Sequence, residues 1–206
     1  VLFLTFLFAA VVLAVTPGPG IAYVVARTVA GGPREGLASC FGTGLGGMLH
    51  VLAAALGLSV LVAESALAFS LLKYVGAAYL VYLGIRLLLR KDPDGPTTPA
   101  VSPSGARRAF LDGILVEVLN VKTALFFLAF LPQFVAPAEP LIPQLVLLGS
   151  VCVALNTLVD VVAVFAAQRL LKSSTARATR ARLLTRVSGV TMISLGAVLA
   201  LARRNA

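Results

Sequence analysis

The sequence predicts an all-α integral membrane protein: six transmembrane helices arranged as two inverted three-helix repeats, with the first and fourth helices broken. Three observations lead there. Hydrophobic residues make up 59% of the chain and its mean hydropathy is +1.00, more apolar surface than a soluble core of this size can hide. The apolar residues fall in long runs of about 20 residues or more, each enough to cross roughly 30 Å of hydrocarbon. Two of those runs are interrupted, one by Thr16-Pro17-Gly18-Pro19-Gly20 and one by Asn120-Val121-Lys122.

The predicted spans are about 2–25, 37–63, 66–90, 109–135, 141–169 and 184–202. The first run has no basic stretch before it and leads into Thr-Pro-Gly-Pro, so it reads as a retained span, not a removed signal peptide. Residues 91–108 read as a cytoplasmic linker, because Pro93, Pro96, Pro99 and Pro103 among Ser, Thr and Gly cannot hold a helix. The linker separates a repeat over 1–90 from one over 109–206. With three spans each, two halves of one fold must sit upside down relative to each other.

The net charge of +9 does not call for nucleic acid, since the basic residues gather beside spans as orientation signals. Arg27, Arg34, Arg86, Arg90, Lys91, Arg107, Arg108 and the basic stretch from Arg169 to Arg186 share one side. Only Lys73, Arg203 and Arg204 fall on the other. The positive-inside bias then puts the linker in the cytoplasm and both termini outside. The basic stretch also suits contact with anionic membrane lipids.

Breaks at matching places in two halves of a transporter mark its binding site. In the first, two prolines remove backbone donors and two glycines let the chain turn. Such backbone survives at membrane depth only inside protein or against a water-filled cavity. Thr16, Pro17, Gly18 and Pro19 are therefore pathway candidates.

In the fourth span, Lys122 lies near the middle, about 20 Å from either end at 1.5 Å per residue. That is too far to snorkel, and a central lysine costs roughly 3 kcal/mol without a partner. Glu117 is about 140° away around an ideal helix, so the two face each other only if the helix breaks between them. Asp160 in the fifth span is the first candidate partner. Asn156, one turn earlier on the same face, extends a polar stripe. An intramembrane Asp can serve as substrate counter-charge, proton carrier or structural ion-pair partner.

His50, the single histidine, centres the second span as a proton relay or a hydrogen-bonded packing residue. Gly42 and Gly46 form a small-xxx-small face for close helix contact, and such glycine faces permit a homodimer. They are no phosphate cradle, because no strand precedes them and no Lys-Ser/Thr follows. In the third span, Tyr79 can line a cavity or anchor a helix contact.

These residues resemble the lysine exporter (LysE/RhtB) family of bacterial amino acid efflux proteins. The matching pieces are Thr16-Pro17-Gly18-Pro19, the glycine-rich second span with His50 and Gly57, and Lys73-Tyr74-Val75-Gly76-Ala77-Ala78-Tyr79-Leu80 with Tyr82-Leu83-Gly84. Asn120-Val121-Lys122-Thr123-Ala124-Leu125-Phe126-Phe127 and Phe130-Leu131-Pro132-Gln133-Phe134 complete them. Together they cover almost the whole chain apart from the linker and the basic loop. The resemblance implies a secondary transporter of the inner membrane, exporting amino acids or related small metabolites by proton antiport. It implies no enzymatic activity and no cofactor beyond the proton motive force. The family's fourth span usually reads Asn-Pro-Lys, so with Val121 the break here is either milder or dependent on Asn120 alone. Glu117 is not an identifiable family position.

Competing classes leave weaker marks. A membrane thiol–disulfide electron carrier would use Cys40 and Cys152, which occupy the second spans of the two halves, yet neither follows a proline or sits at a break. A lipid enzyme needs clustered carboxylates or a nucleophile with its base. A metal exporter, or any bound metal, needs a ligand cluster. Neither pattern is visible in the sequence.

Overall fold

In the computed structural model, residues 2–64, 66–89, 102–136 and 138–170 are described, with isolated positions between 190 and 201. Most of the predicted sixth span, the basic loop and the middle of the linker lie outside the described residues. Every regular element among the described residues is helical.

Helix α1 (Leu2–Val15) ends at the first break, and α2 (Pro19–Glu64) begins just after it. Inside α2, Gly32 has φ 76 and ψ −173, and Pro33 follows. Only glycine adopts that backbone without strain, and proline cannot continue the hydrogen-bonding ladder. The chain reverses there. In a straight helix Gly20 and Thr43 would be about 35 Å apart, yet a Cβ on Gly20 would lie 3.9 Å from Thr43 Cγ2. Val24 likewise packs in one buried cluster with Cys40 and Val164. So α2 is a hairpin: a first arm completes the first predicted span, and a second arm is the second span.

Helix α3 (Ala66–Leu89) follows. Helix α4 (Ala106–Val118) starts earlier than the predicted boundary at 109, taking in the last residues assigned to the linker. The second break separates it from α5 (Val121–Leu125). A wide π-type turn over Phe126–Phe130 and a tight 3₁₀ turn over Leu131–Phe134 extend α5. Pro132 explains that irregularity, since it has no N–H for the carbonyl one turn back and its ring crowds that carbonyl. Helix α6 (Leu141–Leu170) closes the described core.

By length and composition, Pro19–Gly57 and Leu141–Arg169 are apolar enough to cross a membrane, and the bent pair Ala106–Val118 plus Val121–Phe134 qualifies as a third stretch. Since Pro19–Gly57 contains the reversal at Gly32, it consists of two antiparallel arms and is not one straight span. The outer surface carries Phe8 at 71% exposure and Leu4 at 69%, an apolar face suited to lipid.

The hairpin α2 packs mainly on α4 and α6. Small residues make that approach possible: a Cβ on Gly42 would collide with the Phe110 carbonyl, and one on Gly46 would lie 2.8 Å from the Ile114 carbonyl. Close backbone approach is how helices gain packing energy where the solvent is itself apolar. Toward the other end, Phe6, Leu13, Val51, Phe126, Phe127 and Leu145 form the main buried cluster. Phe6, Phe134, Phe130 and Phe126 stack in series at 5.1–5.6 Å between ring centres.

Candidate functional site

The two breaks face each other. Thr16 ends α1, with its N–H on the Val12 and Leu13 carbonyls and its hydroxyl on Val12 O at 2.6 Å. The last carbonyls of a helix lack intrahelical donors and carry its negative end. Lys122 supplies the donor from the opposite break: its Nζ bonds Thr16 O at 2.9 Å and Leu13 O at 3.3 Å. Gly18 leaves the space, since a Cβ there would stand 3.0 Å from that nitrogen.

The second break is built by Asn120, which adopts φ −78 and ψ 96 between α4 and α5. Its side-chain oxygen accepts the Lys122 N–H at 3.2 Å, an N-cap. Its amide nitrogen donates to Glu117 Oε2 at 3.1 Å. Thr123 Oγ1 donates to Glu117 Oε1 at 2.6 Å. The flanking helices bend by 47°. With Val121 in place of proline, the break rests on Asn120, the second of the two expectations: a capping asparagine breaks the helix without proline.

Across from the breaks, Asp160 on α6 accepts the Thr43 hydroxyl at Oδ2, 3.2 Å away. Thr43 Oγ1 is also 3.0 Å from the Cys40 carbonyl. A small cavity of about 30 Å³ lies among these groups, lined by Thr16, Gly20, Ile21, Thr43, Glu117, Asn120, Lys122, Thr123, Asn156, Thr157 and Asp160, among others. That is room for a water molecule, well short of an amino acid. Glu117, Lys122 and Asp160 are 8%, 8% and 9% exposed, so three ionisable groups share one buried space.

The expected Lys122–Asp160 ion pair does not form. Among the described residues no salt bridge within 4.0 Å joins Lys122 to either acid. The ammonium caps a helix end instead, because the exposed α1 carbonyls are nearer than either carboxylate. His50 stands behind the cavity, with Nε2 2.8 Å from the Glu117 carbonyl and its ring stacked on Phe127. As donor it adds a second bond to a carbonyl at the break that already accepts the Asn120 N–H at 2.9 Å. Pro17 and Pro19 frame the first break without lining the cavity. Tyr79 does not reach it either; its ring packs against Tyr82 on α3.

Three hydroxyls, Thr43, Thr123 and Thr157, went unread in the sequence. Thr43 hides in a Gly-Thr-Gly stretch whose glycines explain themselves by packing. Cys40 and Cys152 are both free and buried. They belong to separate clusters, an arrangement that gives the electron-carrier reading no support. No group of three or more metal-ligating side chains occurs among the described residues.

Interrupted helices meeting at a buried charged cavity, inside an apolar helical protein, are the arrangement expected of a membrane transporter. Residues 11–203 match the family profile described as LysE type translocator, and the chain belongs to that family. A homoserine/homoserine lactone efflux protein of Salmonella typhimurium is 33% identical over 75% of this chain and 74% of its own. A leucine efflux protein of Salmonella choleraesuis is 28% identical over 66% of this chain and 64% of its own. An uncharacterized membrane protein of Vibrio cholerae is 35% identical over 76% of each chain. No solved structure matches.

Proposed function

We propose that this protein exports small zwitterionic amino acids across the bacterial inner membrane in exchange for protons, through the cavity between the two helix breaks. The observation that carries the reading is the meeting of the breaks: Lys122 of one caps the helix that ends at the other, with Glu117 and Asp160 beside them.

The cavity offers complementary ends for an amino acid. At the start of α2, Ala22 is the first residue whose N–H finds a helical partner, Gly18 O at 3.1 Å. Gly20 and Ile21 precede it and line the cavity. Such a helix start, next to the Lys122 charge, suits a carboxylate. The Glu117 and Asp160 carboxylates suit an ammonium group. Asp160 is the proton carrier in this scheme, since its partner Thr43 can serve either protonation state. Ionised, Asp160 accepts the hydroxyl proton; protonated, it donates to the hydroxyl, which turns to the Cys40 carbonyl.

The fold reading completes the scheme. Two inverted three-helix repeats, with both termini outside, would exchange access around a fixed site. The cavity is too small for substrate as it stands, so loading requires movement of α2 against α4 and α6. The names of the efflux relatives make homoserine and leucine the first substrates to test.

The test is transport by purified protein in sealed vesicles. Radiolabelled homoserine, leucine and a wider amino acid panel are offered with and without an imposed pH gradient. Gradient-driven accumulation of at least one amino acid is expected. Transport indifferent to the gradient would remove the antiport step, and no transport of any amino acid would remove the reading.

A further inference from the structure

A second charged cluster lies at the hairpin turn of α2, outside the cavity. Arg27 on the first arm and Glu35 on the second flank the Gly32 reversal, and both are buried, at 7% and 5% exposure. Arg27 Nη2 bonds Asp112 Oδ2 of α4 at 2.9 Å. Its Nη1 donates to Ser104 Oγ at 2.7 Å and to Ser102 O at 3.3 Å. Its Nε donates to the Tyr23 hydroxyl at 3.0 Å. Glu35 Oε1 accepts the backbone N–H groups of Ser104 and Gly105 at 3.0 and 2.8 Å. One buried arginine thus ties both arms of the hairpin to the chain entering α4. Gly105 turns there with φ 83.

The cluster is incompletely paired. Among the described residues, Glu35 Oε2 is buried without a hydrogen-bond donor, and the nearest cationic group, Arg27 Nη1, stands 3.9 Å off. A permanent buried network is stabilising when every member is satisfied. Two acids sharing Arg27, with Arg108 Nε 3.8 Å from Asp112 Oδ2 as a second cation for one of them, instead suit a contact that forms in one state and opens in another.

Its position gives that contact a task. Between it and the cavity lie the Tyr23–Ala109 hydrogen bond at 2.9 Å, the tight Gly42–Gly113 crossing and the buried Val24, Cys40 and Val164 cluster. These layers close the path on the side of the linker. We propose that Arg27, Glu35 and Asp112 form the linker-side gate, an ionic latch holding the α2 hairpin against α4, with Gly32 and Gly105 as its hinges. The gate rests on the transport reading. Opening it moves the hairpin turn away from α4, separates Gly42 from Gly113 and uncovers the apolar layer. Arg27 and Glu35 do not touch substrate; they position the elements that admit it.

Cys40 lies in that layer at 0% exposure and reports on the gate. In a Cys152→Ser background it is the remaining thiol. An impermeant maleimide is added to vesicles from the linker side and, separately, from the opposite side. Arg27→Gln and Glu35→Gln are each expected to speed Cys40 labelling from the linker side on the order of tenfold, the size of an ordinary coupling between two conformations. Labelling from the opposite side should not change. Glu35→Gln keeps the shape of the side chain and decides the matter if Arg27→Gln fails to elute as a folded species. Unchanged linker-side labelling in folded Glu35→Gln protein, or equal acceleration from both sides, overturns the gate. Labelling needs no transport, so a wild-type protein that moves no amino acid would sink the transport reading while this contrast still reports on the latch.

Discussion

Lys122 Nζ bonds the carbonyl of Thr16 at 2.9 Å, joining the two helix breaks directly. The bond gives α1 a C-terminal cap and gives a buried ammonium its acceptors in one contact. Removing the ammonium leaves Thr16 and Leu13 carbonyls without it and Glu117 and Asp160 without a nearby positive charge. Lys122→Met is therefore expected to destabilise the protein by about 3 kcal/mol, the usual cost of breaking a buried charged interaction from one side. Thermal unfolding in detergent measures that loss, and export should fall by more than tenfold. Lys122→Arg should recover part of the stability, since the charge returns, but little export, since the planar fork cannot occupy the space against Gly18.

Gly20 is held to its size by Glu117. A Cβ at Gly20 would lie 2.7 Å from Glu117 Oε2, so Gly20→Ala must push the carboxylate off Asn120 or Thr123. A cost of about 1–3 kcal/mol is expected from the crowding, together with loss of export. Gly57 supplies the contrast, because among the described residues nothing lies within 4 Å of a Cβ there. Gly57→Ala should leave export intact and stability equal or slightly higher, as alanine suits a helix better. Equal effects at the two positions would show that Glu117 is not fixed by the first break.

Val121 occupies the first helical position after the Asn120 cap. Proline is well tolerated there, since that N–H has no helical partner and its φ is preset. Asn120 already has the extended backbone that a following proline requires. Val121→Pro is expected to keep the melting temperature within a few degrees and to keep export. A large loss of stability would mean that the break depends on the Val121 side chain or amide.

Much of the site could be read in the sequence because breaks and midplane charges have no inexpensive explanation in a membrane. Thr16, Glu117, Asn120, Lys122 and Asp160 stand out this way, Asn156 stands out as a polar residue one turn from Asp160, and all six line the cavity. Pairing was less legible. Charge alone nominates Asp160 for Lys122, while backbone carbonyls at a helix end, invisible in a residue pattern, lie nearer. Thr43 was missed because hydroxyls between glycines carry no signal of burial beside an acid. Arg27 is legible only as topology, since a basic residue near a span end reads as an orientation signal, and Glu35 beside it carries no signal of burial. Hydropathy marks the apolar stretches that hold α2, the bent pair α4–α5 and α6, but the reversal at Gly32 leaves no loop, so α2 runs through what hydropathy separates into two.

Asp160 is the residue on which coupling should turn. Its carboxylate is bound by the Thr43 hydroxyl and by no base within 4.0 Å among the described residues, so a proton can come and go without breaking an ion pair. Asp160→Asn preserves shape and one hydrogen bond while fixing the group neutral. Export driven by a pH gradient should then fall to the level seen without a gradient, while exchange of labelled for unlabelled amino acid across the same vesicles persists. Thr43→Val tests the partner: loss of the hydroxyl leaves the ionised carboxylate short of a donor, at a cost of about 1–3 kcal/mol. Disfavouring the charged form moves the pH at which gradient-driven transport is half-maximal upward. Measured pH profiles for wild type, Asp160→Asn and Thr43→Val in one vesicle preparation separate these effects. If Asp160→Asn retains full gradient-driven export, the proton travels through another group, and Glu117, held by Asn120 and Thr123 in the same cavity, is the next to substitute.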